Sequence, residues 1–105
     1  MNAAAHQLLV YDLAPDYLDR RGEFREEHLR LAWTAADTGN LVLGGAVGEP
    51  VASALLLFRD RASAEAFAKA DPYVLQGLVK AWRVEPWHTV VGAHAATPLR
   101  PGADR

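Results

Sequence analysis

Apolar residues along the chain follow two patterns, which predict strands and helices in a fixed order. Short runs rich in Leu, Val and aromatic residues that end at Pro or Gly are typical of strands, and apolar residues at helical spacing are typical of helices. The patterns predict strands at residues 6–13, 41–47, 51–59 and 80–92, helices at 21–39 and 62–70, and a short helix at 73–78. The loop at residues 48–50 suits an antiparallel hairpin between the second and third strands.

The element order βαββαβ predicts an α+β, ferredoxin-like fold. Right-handed crossovers place both helices on one face of a four-stranded antiparallel sheet whose first and third strands are central. The first strand is apolar on both sides, with Leu8 and Val10 on one side and Leu9 and Tyr11 on the other. Because no element remains to cover the second face, we expect a homodimer that packs sheet on sheet as a dimeric α/β barrel.

Length and composition suit one domain. The chain has 105 residues, of which 50% are hydrophobic, and this is enough for a single core. The domain is predicted over residues 1–92. Residues 93–105 lack periodicity and are rich in Ala, Pro and Gly, which indicates a tail that is flexible or packed on the partner subunit.

Charge and cysteine content exclude several classes of function. A net charge of −2 without a Lys/Arg cluster makes nucleic acid an unexpected partner. No apolar run is long enough for a membrane span and no signal core is evident, so a cytoplasmic protein without membrane contact is expected. The absence of cysteine excludes disulfides and thiol nucleophiles. No cofactor or metal is predicted, because His6, His88 and His94 lack metal-ligand spacing with His28.

The predicted topology brings polar residues from distant segments to one end of the sheet. Strand one ends there, helix one begins there, strand two leaves there, and the helix of residues 62–70 ends there. The residues that gather in this way are Tyr11, Arg25, His28, Gly44, Gly45, Asp71 and its neighbour Tyr73. Such a convergence predicts a ligand pocket.

His28 and Asp71 are the candidate catalytic residues of this pocket. His28 shares the inward stripe of helix one with Phe24 and Leu31, where an imidazole is either a satisfied core histidine or a working acid–base group. Asp71 precedes Pro72, which suits a helix N-cap. A carboxylate has two oxygens, however, so Asp71 can cap a helix with one and fix the tautomer of His28 with the other.

The remaining pocket residues are candidates for binding a ligand. Arg25 can present a guanidinium to an anionic small molecule, or it can pair with a carboxylate in solvent. Gly44 and Gly45 permit a ligand to approach the backbone closely, or they mark a bulge near the strand end. Tyr11 and Tyr73 complete the set of ligand-binding candidates.

The chain resembles the YCII-related (YciI-like) family over residues 6–92. The resemblance is carried by REEHL at 25–29, GG at 44–45, DPY at 71–73 and the strand region 82–92. It implies a ferredoxin-like α/β barrel dimer with a histidine and an aspartate in a cleft, which correspond to His28 and Asp71. Some relatives are dehydrochlorinases of chlorinated hydroxyquinols, and the wider dimeric barrel group includes muconolactone isomerases. The chain departs from the family pattern at Gly45, where proline is common, and in residues 15–22.

Two hypotheses about function follow. The first is a small-molecule lyase or isomerase in which His28 is the general base, Asp71 orients it, and Arg25 or the Gly45 backbone polarises a ligand oxygen. The second is a non-catalytic dimeric module that binds a small ligand or a protein, with His28 and Asp71 bonded for structure. Haem or metal binding is a third possibility, and it would require an axial histidine that faces an open cavity.

Overall fold

The computed structural model describes residues 5–102 and contains four strands and three helices in that range. The strands are β1 (His6–Leu13), β2 (Leu41–Gly48), β3 (Val51–Phe58) and β4 (Val79–Trp87), and the helices are α1 (Tyr17–Asp37), α2 (Arg61–Ala70) and α3 (Pro72–Leu75). The first four residues of the predicted domain and the last three of the predicted tail lie outside the described residues.

The four strands form one sheet in the order β2-β3-β1-β4, and every neighbouring pair is antiparallel. The central positions of β1 and β3 confirm the topology predicted from the element order, and the ferredoxin-like fold is confirmed with it. Leu9 of β1 lies opposite Leu56 of β3 on one side and Val84 of β4 on the other. These three residues therefore share the sheet face on which the helices pack.

A single hydrophobic core lies between this face and the helices. The sheet contributes Leu9 and Phe58, neither of which has exposed surface, and α2 contributes Phe67 and Ala68. The rings of Phe58 and Phe67 pack with their centroids 5.5 Å apart. Burying a large apolar side chain of this kind stabilises the fold by about 1.5–3 kcal/mol, so this layer holds the helices in place above the sheet.

Helix α1 begins earlier than the sequence pattern predicts. The predicted start at residue 21 is wrong, because the helix already includes Tyr17, whose amide donates to the Ala14 carbonyl. Tyr17 is only 5% exposed and packs edge-on against the Tyr73 ring at 5.6 Å between centroids. This burial outweighs the cost of about 1 kcal/mol that Gly22 imposes inside a helix. At the other end, Gly39 has a positive φ of 88°, as the predicted stop requires.

Strand β4 ends at Trp87, and the predicted continuation to residue 92 is wrong. The physical reason is pairing: β4 is an edge strand whose neighbour β1 begins at His6, directly opposite Trp87. Beyond this point the chain folds on itself, with the Thr97 amide donating to the Thr89 carbonyl. Pro86 lies in this edge strand, where a residue without an amide proton is tolerated. Whether the tail packs on a partner subunit stays a prediction.

The sheet face opposite the helices carries exposed apolar side chains. Leu43 is 63% exposed, Val47 43% and Leu55 37%. Leu43 pairs with Leu57, and Val47 pairs with Ser53, in the register that points away from the helices. Within residues 5–102 the helices pack on the other face of the sheet. No helix in this part of the chain is long and apolar enough to cross a membrane.

Candidate active site

A cavity of about 370 Å³ lies between α1 and the helix-facing side of β1, β2 and β3. Small residues line much of it, namely Ala32 and Ala36 on the helix and Gly44 and Ala54 on the sheet, and they leave the space open. Six of the seven predicted pocket residues line this one cavity: Tyr11, Arg25, His28, Gly44, Gly45 and Tyr73. The seventh, Asp71, lies behind His28 and Tyr73 with no exposed surface.

Asp71 occupies the junction between α2 and α3. It has extended backbone geometry, follows the last residue of α2, and accepts a hydrogen bond from the Tyr73 amide at 3.0 Å, so it is the N-cap of α3. Pro72 takes the first helical position, where its missing amide costs nothing. The local interpretation of the Asp-Pro pair as a cap is therefore correct.

The same carboxylate also meets the imidazole of His28. Oδ1 of Asp71 lies 2.8 Å from His28 Nδ1 and also accepts from the Tyr73 amide, whereas Oδ2 accepts from the Tyr11 hydroxyl at 2.7 Å. The sharing differs from the expected one, because the cap and the histidine use one oxygen and the second oxygen has a partner of its own. Two of these contacts have a fixed donor, because the Tyr11 hydroxyl and the Tyr73 amide both donate to the carboxyl. The tautomer of His28 that carries its proton on Nδ1 makes the contact with Oδ1 a hydrogen bond in which the ring donates.

The His28 ring is held by packing as well as by Asp71. It stacks on the Tyr73 ring with centroids 3.9 Å apart and planes 9° from parallel, and it meets the edge of Phe67 at 6.1 Å. Its side chain retains 15% exposure. With Nδ1 committed to Asp71, Nε2 is the nitrogen left for the cavity, and in the neutral ring it carries a lone pair. This is the arrangement that a general base requires.

Tyr11 reaches Asp71 from the sheet. Its ring lines the cavity, while its hydroxyl donates to Oδ2 of Asp71. Burial, followed by the nearby Asp71 charge, raises the pKa of Tyr11 above its ordinary value, so the phenol keeps its proton and remains a donor. The hydroxyl is committed to Asp71, and a ligand contact by Tyr11 stays a prediction for the ring.

Arg25 lies on the cavity wall with Arg21, a residue that the sequence patterns missed. Within residues 5–102 neither guanidinium has a carboxylate at salt-bridge distance. By contrast, Arg20 pairs with Asp16 just before the helix, and Arg30 pairs with Glu26 in the helix. Residues 21, 25 and 28 follow helical spacing along one face of α1. That spacing was the available signal, because residue 21 already lies within the predicted helix 21–39.

The two predicted glycines differ in what they face. A Cβ at Gly44 would lie 3.1 Å from the Leu56 side chain, on the cavity side of the sheet, whereas a Cβ at Gly45 would meet nothing within 4 Å. The register of β2 shifts between Leu41 and Leu43, so a β-bulge lies just before the pair. Both interpretations of Gly44 and Gly45 therefore have support: a bulge lies beside them and a cavity lies above them.

The Tyr73 hydroxyl is the one buried side-chain polar atom without a hydrogen-bond partner in the described part of the chain. Tyr73 is only 2% exposed and lines the cavity. Burial and the neighbouring Tyr17 raise the pKa of Tyr73, and the charges of Arg25 and Arg21 act in the opposite direction. The phenol is therefore a protonated donor near two cations.

As to metals, residues 5–102 contain no group of three His, Cys, Asp or Glu side chains that could hold one.

Comparison with known proteins agrees with the fold. The model of the YCII-related domain family matches residues 5–88. A solved structure of 5-chloro-2-hydroxyhydroquinone dehydrochlorinase from Burkholderia phenoliruptrix, in complex with 2,5-dihydroxybenzoquinone, is similar with a TM-score of 0.66. Its sequence is 21% identical, and the match covers 86% of this chain and 98% of that chain, so the likeness concerns the fold. No curated protein matches the chain significantly in sequence.

Proposed function

The chain belongs to the YCII-related domain family, and from this premise we propose that its cavity is the active site of a small-molecule lyase or isomerase. His28 is the general base and Asp71 orients it. The observation that carries the proposal is the 2.8 Å contact between His28 Nδ1 and a carboxylate with no exposed surface, at the wall of a cavity. This pairing leaves Nε2 as the acceptor for a ligand proton.

In the proposed reaction, Nε2 of His28 removes a proton from the ligand. The ring becomes an imidazolium, and the Asp71 carboxylate stabilises that charge from the Nδ1 side. Tyr11 and the Tyr73 amide hold the carboxylate in place, so its position costs little reorganisation during the reaction. A general base of this kind contributes about 10²–10⁴-fold to a rate.

Removal of the proton leaves negative charge on the ligand, and Arg25 is the proposed group that stabilises it. Arg25 lines the cavity and has no carboxylate partner within the described range, so its charge is available to a ligand oxygen. The Gly45 backbone is a second candidate for polarising that oxygen, because Gly45 also lines the cavity. An unidentified small molecule with an anionic or polarisable oxygen is the proposed ligand.

A dehydrochlorination is the first reaction to assay, because the protein of similar fold is named for it. Such a reaction removes a proton and releases chloride, which a general base and an oxygen-polarising group can promote together. The purified protein would be incubated with 5-chloro-2-hydroxyhydroquinone, and chloride release would be measured. A panel of small lactones and halogenated hydroxyl compounds would follow if this compound is not turned over.

The variants that test the assignment are His28→Ala and Asp71→Asn, with His88→Ala as the matched control because His88 is exposed and does not line the cavity. On any substrate that the wild type converts, we expect a loss of at least about 10²-fold for His28→Ala and no change for the control. Full turnover by a folded His28→Ala variant would show that the histidine is not the base. Ligand binding without turnover of any panel member would favour the non-catalytic module.

We also propose that two copies of the chain pack through the sheet face opposite the helices. The support is the exposed apolar set Leu43, Val47 and Leu55 on that face. Leu55→Glu is expected to convert the dimer to a monomer in analytical ultracentrifugation, whereas Leu75→Glu, on the helix side and 63% exposed, should not. A wild type that sediments as a monomer would contradict this arrangement. The cytoplasmic location stays a prediction from sequence.

A further inference from the structure

We propose that the Tyr73 hydroxyl, together with the guanidinium groups of Arg21 and Arg25, forms a subsite for the anionic oxygen of a small apolar ligand. This inference rests on the proposed function in one respect, that the ligand occupies the same cavity as His28. The proposed subsite concerns recognition of the ligand, so measurements of ligand binding test it without any measurement of turnover. The ligand class that it selects is a small hydrophobic body carrying a carboxylate, a phenolate or an enolate.

The first observation is the unpartnered Tyr73 hydroxyl. Its oxygen is buried, and no group in residues 5–102 donates to it or accepts from it. Buried hydroxyl groups in folded proteins are nearly always paired, and an unpaired one costs stability. The Tyr73 ring meanwhile is fixed by the His28 stack at 3.9 Å and by the edge of Tyr17 at 5.6 Å. A rigid donor without an acceptor, at the wall of a cavity, is prepared for an acceptor on a ligand.

The second observation is the charge beside this hydroxyl. Arg21 and Arg25 both line the cavity, and both act on the Tyr73 phenol as nearby positive charges. Within residues 5–102 the Asp71 carboxylate forms no salt bridge with either arginine, and its hydrogen bonds are to His28, Tyr11 and the Tyr73 amide. The cavity lining therefore combines two cations with a tyrosine whose buried hydroxyl has no partner, which suits an anionic oxygen.

The position of the subsite relative to the base defines the ligand further. The His28 and Tyr73 rings are stacked in parallel, and both residues line the same cavity. A ligand whose anionic oxygen meets Tyr73 and the arginines would present its neighbouring atoms to His28. The rest of the lining is mostly apolar, including Leu13, Ala32 and Leu56. These features favour a compact apolar skeleton with the anion at one end.

The probes that test this subsite are benzoate and benzyl alcohol, which share an apolar ring and differ in charge. Binding to the full-length protein would be measured by NMR titration for the wild type, Tyr73→Phe, Arg21→Gln and Arg25→Gln. Arg30→Gln is the matched control, because Arg30 lies on the same helix, pairs with Glu26 and is 67% exposed. Tyr73→Phe keeps the stacked ring and removes only the hydroxyl, so the fold is expected to survive.

We expect benzoate to bind the wild type about tenfold more tightly than benzyl alcohol. Tyr73→Phe and each arginine variant should weaken benzoate binding by about tenfold and leave benzyl alcohol nearly unchanged, while Arg30→Gln should change neither. Equal binding of the two probes, no benzoate binding to the wild type, or unchanged benzoate binding in Tyr73→Phe would each overturn the subsite. A His28→Ala variant that binds benzoate normally has kept the subsite, so a loss of turnover in that variant concerns the base alone. Failure of the subsite and failure of the proposed mechanism can therefore be told apart.

Discussion

The hydroxyl groups of Tyr11 and Tyr73 permit a matched test of the buried polar network. Both rings are almost fully buried, with 1% and 2% exposure, and the change to Phe removes one oxygen from each. The Tyr11 hydroxyl donates to Asp71, whereas the Tyr73 hydroxyl has no partner within residues 5–102. The difference between the two variants therefore isolates the hydrogen bond to Asp71.

Tyr11→Phe removes a 2.7 Å hydrogen bond to a carboxylate that has no exposed surface. Hydrogen bonds to charged groups contribute about 1.5–3 kcal/mol, and the abandoned oxygen of Asp71 cannot turn to water, so we expect a loss of about 2–3 kcal/mol in the free energy of unfolding. Tyr73→Phe removes a hydroxyl that is desolvated without compensation. We expect it to be neutral or to stabilise the protein by about 1 kcal/mol.

The assay is urea unfolding followed by circular dichroism, at one protein concentration because self-association would otherwise shift the midpoint. Equal slopes for both variants would show that the change is in stability and not in the extent of unfolding. In thermal scans a difference of 1 kcal/mol corresponds to about 4–8 °C for a domain of this size. Two results would refute the reasoning: a Tyr73→Phe variant as destabilised as Tyr11→Phe, or a Tyr11→Phe variant as stable as the wild type.

Three further predictions concern the cavity, the effect of pH on the buried His6 and a helix cap. Gly44→Ala should weaken benzoate binding by NMR titration because its Cβ would crowd Leu56 in the cavity, whereas Gly45→Ala should not; equal effects would contradict this. Burial, followed by the charges of Arg59 and His94, lowers the pKa of His6, so the stability that neutral His6 contributes is present above about pH 6.5 and is lost as the pH falls. The free energy of unfolding in urea should therefore differ less between about pH 7 and pH 5 in His6→Gln than in the wild type. An equal difference in the two proteins would contradict this prediction. Asp60→Ala should cost about 1 kcal/mol in the same assay, since Asp60 caps α2, and an unchanged stability would argue against the cap.

Much of the fold could be predicted from sequence because local patterns and topology agree. The apolar runs located all four strands, and the order βαββαβ then determined which strands are central. The errors lie at the ends of strands and helices, where contacts with other parts of the chain determine the last residue of the element. Trp87 ends β4 because β1 begins opposite it, and Tyr17 extends α1 because it is buried against Tyr73. Neither contact is visible in a local pattern.

For the candidate site, too, the sequence predicted which residues come together but not all of their side-chain contacts. Topology was sufficient to bring His28 together with Asp71, since it depends only on which ends of the elements meet. It could not show that Tyr11 would satisfy the second carboxylate oxygen, or that the Tyr73 hydroxyl would be left without a partner. Those outcomes depend on side-chain direction at distances of about 3 Å, which sequence spacing does not determine. Arg21 was missed although it lies within the predicted helix 21–39, at helical spacing from Arg25 and His28.

The most direct test of the central claim is the protonation of the two His28 ring nitrogens, observed by ¹⁵N NMR at a pH where the imidazole is neutral. We predict that Nδ1 carries the proton, held by Asp71, and that Nε2 is bare, and that Asp71→Asn weakens this preference. A bare Nε2 is the acceptor that proton abstraction requires. If the neutral ring instead carries its proton on Nε2, His28 cannot act as the base from the cavity, and the proposed mechanism is contradicted.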